Sequence, residues 1–432
     1  MALGGGTFTA QNKILPGSYI NFVSASRASA ALSDRGIAAI PITGDWGELG
    51  LIEVAAGDFQ KNTMKLFGYD YAAPQLKGLR DLYRNIRLAY IFRLGAGGTK
   101  ASNTWATAKY PGTRGNALMT AIAANVDDPA LFDVSTYLGD ALVDMQTVAA
   151  VGDLIANDYV QWGATALALE AGEPMTGGVN PTVTNGDYQS FLDAAESVSF
   201  NAIGCPSVDP TIKGLFAAFT RRMRDDMGVK FQCVVHDLDA DYEGVVNVMN
   251  TVNDGVGYEA IYWVTGVIAG TPVNRSALNK QYDGEYEINT AYTQTQLEAA
   301  IKGGKFAFHK VMNAGIRVLD DINSLVTTTV EKSDDFKQNQ TIRVLDQIGN
   351  DIAYLFNTKY LGVIPNDPDG RVSLWVDIVQ HHTALQTNRA IQNFSGDDLT
   401  VEQGETRRAV VVNDGVTPVN AMRQLYMTVV VQ

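Results

Sequence analysis

The sequence predicts an α/β plus β protein: a discontinuous α/β domain interrupted by a β-sandwich module and followed by an α+β C-terminal domain. Three observations carry this. Strand-like and helix-like segments alternate over residues 31–96 and again over 188–330. Between them, residues 97–187 are broken by Gly, Pro and Asn/Asp every 8–12 residues or so, the spacing of short strands and turns. Past residue 331, two helical patterns precede a run of strand candidates.

Residues 1–30 read as an arm, because "MALGGGTFTAQNKIL" is too rich in Gly and small polar residues to fold alone. "GIAAIPIT" (36–43) and "GLIEVAA" (50–56) are short strands. "FQKNTMKLFG" (59–68) and "APQLKGLRDLYRN" (73–85) are helices, and "IRLAYIFRL" (86–94) a buried strand. After the β-module, "DYQSFLDAAE" (187–196) is a helix whose start is marked by Asn185 or Asp187, and "VSFNAIGCPS" (198–207) is a strand. The helix from 209 to 228 has Asp209 as N-cap, Pro210 at its first position and Gly228 as C-cap. "VKFQCVV" and "GVVNVMN" are strands, and "GYEAIYWVTGVIAGT" (257–271) is a helix whose Gly266, Ala269 and Gly270 suit close packing. Residues 305–329 read as further strands. Ile342, Leu345, Ile348, Ile352, Leu355 and Phe356 recur at helical spacing. Residues 369–390 form a second, more polar helix, and three strand candidates then run to the C-terminus.

Bulk properties narrow the function. The 432 residues carry 33 Lys plus Arg against 47 Asp plus Glu, a formal net charge of −14, which argues against a nucleic-acid binder. No apolar run approaches the ~20 residues of a membrane helix, so no membrane insertion is expected. No basic region precedes an apolar block at the N-terminus, so no secretory signal is visible. Cys205 and Cys233 lie in or beside apolar strands and read as buried, reduced thiols.

Motifs for chemistry are sparse. "LGAGGTKAS" (94–102) lacks the Lys-Ser/Thr pair of a phosphate loop and reads as a hinge between modules. "DLDADYEG" (237–244) has Tyr242 and Val248 where a calcium loop needs Gly and Glu, and reads as an acidic loop. Of the four histidines, His236, His309, His381 and His382, the adjacent pair points about 100° apart on a helix and does not face one ligand. No cofactor, metal or catalytic residue is expected. An α/β hydrolase using one of these histidines is the alternative.

Several stretches in order resemble the contractile tail sheath protein family of bacteriophages and phage-tail-like bacteriocins, in its Gram-positive-host version. They are residues 4–47, "AKYPGTRGN" (108–116), "FDVSTYLGDALVDMQTV" (132–148), residues 175–196, residues 262–284 and "VVVNDGVTPVNAMRQLYMTVVV" (410–431). The resemblance implies a subtilisin-like topology without proteolytic residues. It implies subunits in stacked hexameric rings, a helical homopolymer around an inner tail tube protein, with baseplate and tail-terminator partners. The location implied is a virion or phage-tail-like particle, assembled in the host bacterial cytoplasm.

It also implies that both chain ends cross to neighbouring subunits and add strands to a C-terminal-domain sheet. Tyr19, Ile20, Asn21, Phe22 and Val23 would form the N-terminal exchanged strand. Met427, Thr428, Val429, Val430 and Val431 would form the C-terminal one, and Ala409, Val410, Val411, Val412 and Asn413 would lie in the receiving sheet. Such exchange accounts for β-forming, apolar segments at the termini, since an unpaired strand is an aggregation hazard. Arg371, Asp377 and Arg389, on the polar helix, are the candidate tube contacts.

Overall fold

A computed structural model describes residues 32–163 and 166–431. The N-terminal candidate strand Tyr19–Val23 lies outside the described residues. Two compact units emerge: a body of Asp34–Gly349 with the segment from Pro418 onward, and a smaller unit over residues 350–417.

In the body, β1 (Ile37–Ile42) and β2 (Gly50–Ala55) lead into α1 (Ala56–Lys61), α2 (Thr63–Phe67), α3 (Lys77–Tyr83) and β3 (Leu88–Arg93). The β-module follows: β4 (Ala106–Ala108), β5 (Leu118–Ala124), β6 (Phe132–Leu138), β7 (Ala141–Val148), β8 (Val160–Trp162) and β9 (Glu170–Pro174). The chain then returns through α4 (Asn185–Ala195), β10 (Ala202–Gly204), α5 (Pro210–Arg221), β11 (Gln232–His236), β12 (Val245–Val248) and α6 (Ala260–Gly270). It continues with α7 (Gln294–Lys302), β13 (Lys305–Phe306), β14 (Phe308–Val311), β15 (Gly315–Val318) and the first part of α8 (Asn339–Leu355), whose residues from 350 onward belong to the smaller unit.

Among the described residues the body is built on a seven-stranded sheet in the order β13-β12-β11-β10-β1-β3-β2. All its neighbours pair in parallel except β2, which runs antiparallel to β3 at the edge. β1 reads as near-continuous apolar sequence because helices cover both its faces: Ala38, Ala39 and Ile40 are fully buried. One face packs with α1–α3 and α6, through Phe59, Leu82, Trp263 and Val264. The other packs with α4 and α5, through Phe191, Leu192, Phe216 and Phe219. Pro41 is tolerated in this central strand because β10 pairs only with Ala38 and Ala39, so Pro41 lies beyond the end of that ladder.

Local chemistry explains the helix starts. Thr184 caps α4 and shares Asp187 through a backbone N–H at 2.6 Å and its hydroxyl at 2.8 Å. Asp209 caps α5 by accepting from Thr211 N at 2.7 Å, with Pro210 at the first helical position. Gly266 and Gly270 let α6 approach the backbone near α3: a Cβ would lie 2.5 Å from Leu82 O and 1.7 Å from Asn85 O.

The module is β-rich, as the sequence predicts, with a four-stranded antiparallel sheet β7-β6-β5-β9 and the pair β4-β8. It joins the body by a two-stranded neck, Ala96 opposite Thr182 and Thr99 opposite Val179. The strands expected over 305–329 stop at Val318. Beyond it the backbone turns to other partners: Asn323 N donates to Lys337 O and Ser324 N to Val245 O.

The smaller unit contains α9 (Pro368–Thr387), β16 (Ile391–Gln392), β17 (Leu399–Gln403) and β18 (Val410–Asp414). β17 and β18 pair antiparallel, from Leu399 opposite Asp414 to Gln403 opposite Val410.

Candidate functional site

The segments read as exchangeable sit as follows. Val410, Val411, Val412 and Asn413 lie in β18, while Ala409 falls just before it, its carbonyl accepting from Gly404 N and the Asn366 side chain, both at 2.8 Å. Val411 and Val412 are exposed, and neither β17 nor β18 has another strand partner among the described residues. Trp375 anchors the hairpin on α9 by donating from its indole N–H to Leu399 O at 3.0 Å. The end of β18 is tied by Asp414, whose carboxylate meets His382 Nε2 at 2.8 Å.

Met427–Val431 differ from their strand expectation. They form no strand, and Met427, Val429, Val430 and Val431 are 71–91 % exposed. A strand needs a partner ladder, and these residues have none among the described residues. The segment before them is anchored to the body, however. The side chains of Asn420 and Thr341 hydrogen-bond (3.1 Å), Ala421 N donates to Gln340 Oε1 (3.0 Å), and Arg423 Nη2 lies 2.5 Å from Asp320 Oδ2. Sequence reading missed all of these: each pair is about 80 or more positions apart, and no periodic pattern marks it.

The tube-contact candidates do not share one face. Arg371 and Asp377 are six positions apart, about 240° around α9, and Arg389 lies past the helix end at φ 60°. Arg371 is turned back on Asn366, donating to its side-chain oxygen at 3.0 Å. Asp377 accepts from Lys359 Nζ and the Tyr360 hydroxyl, both at 2.5 Å. Arg389 is exposed. The outward stripe of α9 instead carries Val372, Val376, Gln380 and Thr383.

The histidines serve the fold. His381 Nε2 meets Asp351 at 3.0 Å, so the adjacent pair turns to two different carboxylates, although their Nδ1 atoms approach to 3.3 Å. Burial and the nearby Arg317 lower His309; burial also lowers His236. Among the described residues no histidine hydrogen-bonds a serine or cysteine. The Cys205 and Cys233 thiols are fully buried. Desolvation pushes Cys233 up to about 12 and Cys205 well above its ordinary value, which suppresses the thiolate.

The acidic loop is likewise spent on structure. Lys305 reaches Asp237 and Asp239 at 3.3 and 3.6 Å, and Asp241 accepts from Val326 N and Thr327 N. No group of three or more His, Cys, Asp or Glu able to hold a metal occurs among the described residues. At the glycine-rich stretch, Gly95, Gly97 and Gly98 have φ between 73° and 106°, and a Cβ at Gly98 would meet Val179 O and Pro181 N at 2.9 Å. Those glycines form the neck of the module rather than a phosphate cradle.

Comparison with known proteins agrees with this architecture. Family models described as the phage tail sheath protein beta-sandwich domain, central domain and C-terminal domain match residues 96–180, 182–324 and 331–432. The phage-like element PBSX protein XkdK of Bacillus subtilis is 33 % identical, over 99 % of each chain. The solved sheath tail protein of Desulfitobacterium hafniense is 36 % identical with a TM-score of 0.82, covering 94 % of this chain and 98 % of that one. The helical sheath of the anti-feeding prophage, solved in its contracted state, is 12 % identical with a TM-score of 0.59, covering 97 % and 99 %, and shows the shared fold alone. With module, body and C-terminal part all matched in order, and a relative alike along its whole length, the chain belongs to the phage tail sheath protein family.

Proposed function

We propose that this structural subunit builds a contractile sheath in which neighbours are stitched by donated strands. The subunits form stacked hexameric rings around an inner tube, bounded by baseplate and terminator proteins. The α/β body follows a subtilisin-like plan without its chemistry. Met427–Val431 is the C-terminal donated strand, Tyr19–Val23 the N-terminal one, and β18 with β17 the receiving sheet. Arg389 remains the tube-facing candidate with its charge exposed; Arg371 and Asp377 act mainly by fixing α9.

One observation carries the reading: a β-forming apolar segment, anchored at Asn420–Arg423, continues into solvent with no strand partner among the described residues. A two-stranded sheet has unpaired backbone groups on its outer edges, and a donated strand satisfies them while alternate side chains fill pockets. A head-to-tail contact of this kind continues as a helical filament when it does not close. In the proposed mechanism an extended, metastable sheath is triggered at the baseplate. Body contacts exchange for better ones while strand pairing persists, and a few kcal/mol per subunit summed over the polymer drives the tube. Deleting residues 1–23 should leave a folded monomer that forms no sheath by negative-stain microscopy. Normal polymers from that truncation refute the strand-donation mechanism.

A further inference from the structure

The C-terminal segment leaves the body at a fixed point, and that point is a buried carboxylate. The Asp320 side chain is 3 % exposed, whereas that of its partner Arg423 is 43 % exposed. Asp320 lies two residues past the end of β15 and adjoins a second acid, Asp321. Asp321 is fully provided for: it accepts from Ala277 N at 2.8 Å, Asn339 Nδ2 at 3.0 Å, and Ser276 Oγ and Arg343 Nη2 at 3.1 Å each. Asp320 is not. One oxygen accepts from Asp321 N at 3.0 Å, and the other faces only Arg423 among the described residues. Arg343, the guanidinium on the neighbouring Asp321, is committed to that carboxylate and to Arg275 O.

The asymmetry has an energetic consequence. A buried carboxylate that loses its only cation stays desolvated and uncompensated, which costs more than an exposed pair is worth. The body therefore holds the segment, although most of the segment is solvent-exposed. Asn420 and Ala421 sit on the first turn of α8 beside this pair and fix the backbone direction, and from Gln424 to Val431 every residue is exposed.

We propose that Arg423 seated on Asp320 is a latch that fixes where residues 424–431 depart from the body, and that its release frees the chain from Pro418 onward to swing. Its use in a sheath rests on the strand-donation reading; its existence does not. The latch is an ion pair, so it responds to acid. Burial raises the Asp320 carboxyl above the ordinary carboxylate value; Arg423 and the hydrogen bond from Asp321 N oppose that rise, and the Asp321 charge adds to it. The charged groups facing it are thus Arg423 and Asp321, with Arg343 behind the latter. Arg423 is held while Asp320 is ionised. As the pH falls through the raised value, Asp320 neutralises, the body is relieved of a buried charge, and the latch opens.

The test is hydrogen exchange of residues 418–423 in the dilute, full-length chain, corrected for intrinsic rates. The Ala421 amide is the reporter, since it is bonded to Gln340. Arg423→Gln should speed its exchange about tenfold or more, Arg423→Lys should retain part of the protection, and acidification of the native chain should mimic Arg423→Gln. Asp320→Asn combined with Arg423→Gln removes both charges, so the latch opens without stranding a buried carboxylate and the variant remains informative if the single one misfolds. Unchanged Ala421 protection in both variants overturns the latch. A chain lacking residues 424–432 should keep that protection; if it also assembles normally, strand donation by this segment fails while the latch stands.

Discussion

At the residue scale, close approach governs what this chain tolerates. Gly270 ends α6 where a methyl group would fall 1.7 Å from the Asn85 carbonyl, which is backbone and does not rotate away. Gly57 in α1 has nothing within 4 Å of the same hypothetical atom. Gly270→Ala should therefore destabilise the body by about 1–3 kcal/mol through overpacking, while Gly57→Ala should be neutral or slightly stabilising. Denaturant midpoints of the two variants check this; equal midpoints would remove close packing of α6 as the reason for its glycines. The first of these was legible, because Gly266 and Gly270 stand at helical spacing within one apolar run. The Asp320–Arg423 pair was not: both residues sit in unpatterned stretches, and only the fold brings them to 2.5 Å.

At the element scale, the β-module reads as an insertion because its two ends meet. Residues 96–99 pair with 179–182, so the chain leaves and re-enters the body at one place. An apolar cluster with Val134 and Ile122 lies wholly within the module, while the one with Leu118 and Val160 also takes in Trp46 of the body. Replacing residues 100–178 with a short Gly/Ser linker should leave a folded body with native-like far-UV circular dichroism and a cooperative melt, since that loop closure costs little. An unfolded product would mean that the module props up the sheet. Trp46 would lose its ring contacts with Tyr110 and Tyr159 of the module, and the buried Arg93 its hydrogen bond to Pro111 O.

This architecture was visible in the sequence for physical reasons. Strands β1, β3 and β11 are covered on both faces and so show as apolar runs, and α5 carries Asp209 and Pro210 at its start; the chain winds on through a π-helical turn, Arg222–Asp226, so Gly228 at φ 75° follows that turn rather than capping α5 itself. What stayed hidden was where elements stop. The strand pattern after Val318 was apolar enough to continue, but its backbone groups are taken by Val245 and Lys337. At Met427–Val431, β-propensity was present without a ladder, because propensity measures fit to a sheet that another strand must supply.

At the scale of the whole molecule, charge sets a problem that a polymer of this chain must solve. Each subunit carries a formal net charge of −14, so like subunits brought into contact repel. That repulsion acts over the Debye length, about 30 Å at 0.01 M salt and about 8 Å at 0.15 M. Strand donation joins neutral backbone groups and apolar side chains, neither of which salt weakens appreciably. If donated strands are the main glue, the concentration needed for polymerisation should fall as salt rises from about 0.01 to 0.15 M, as measured by sedimentation of the full-length chain. If complementary charged patches dominate instead, screening removes attraction and the threshold should rise. The sign of that single slope separates a sheath stitched through its backbone from one held by its surface charges.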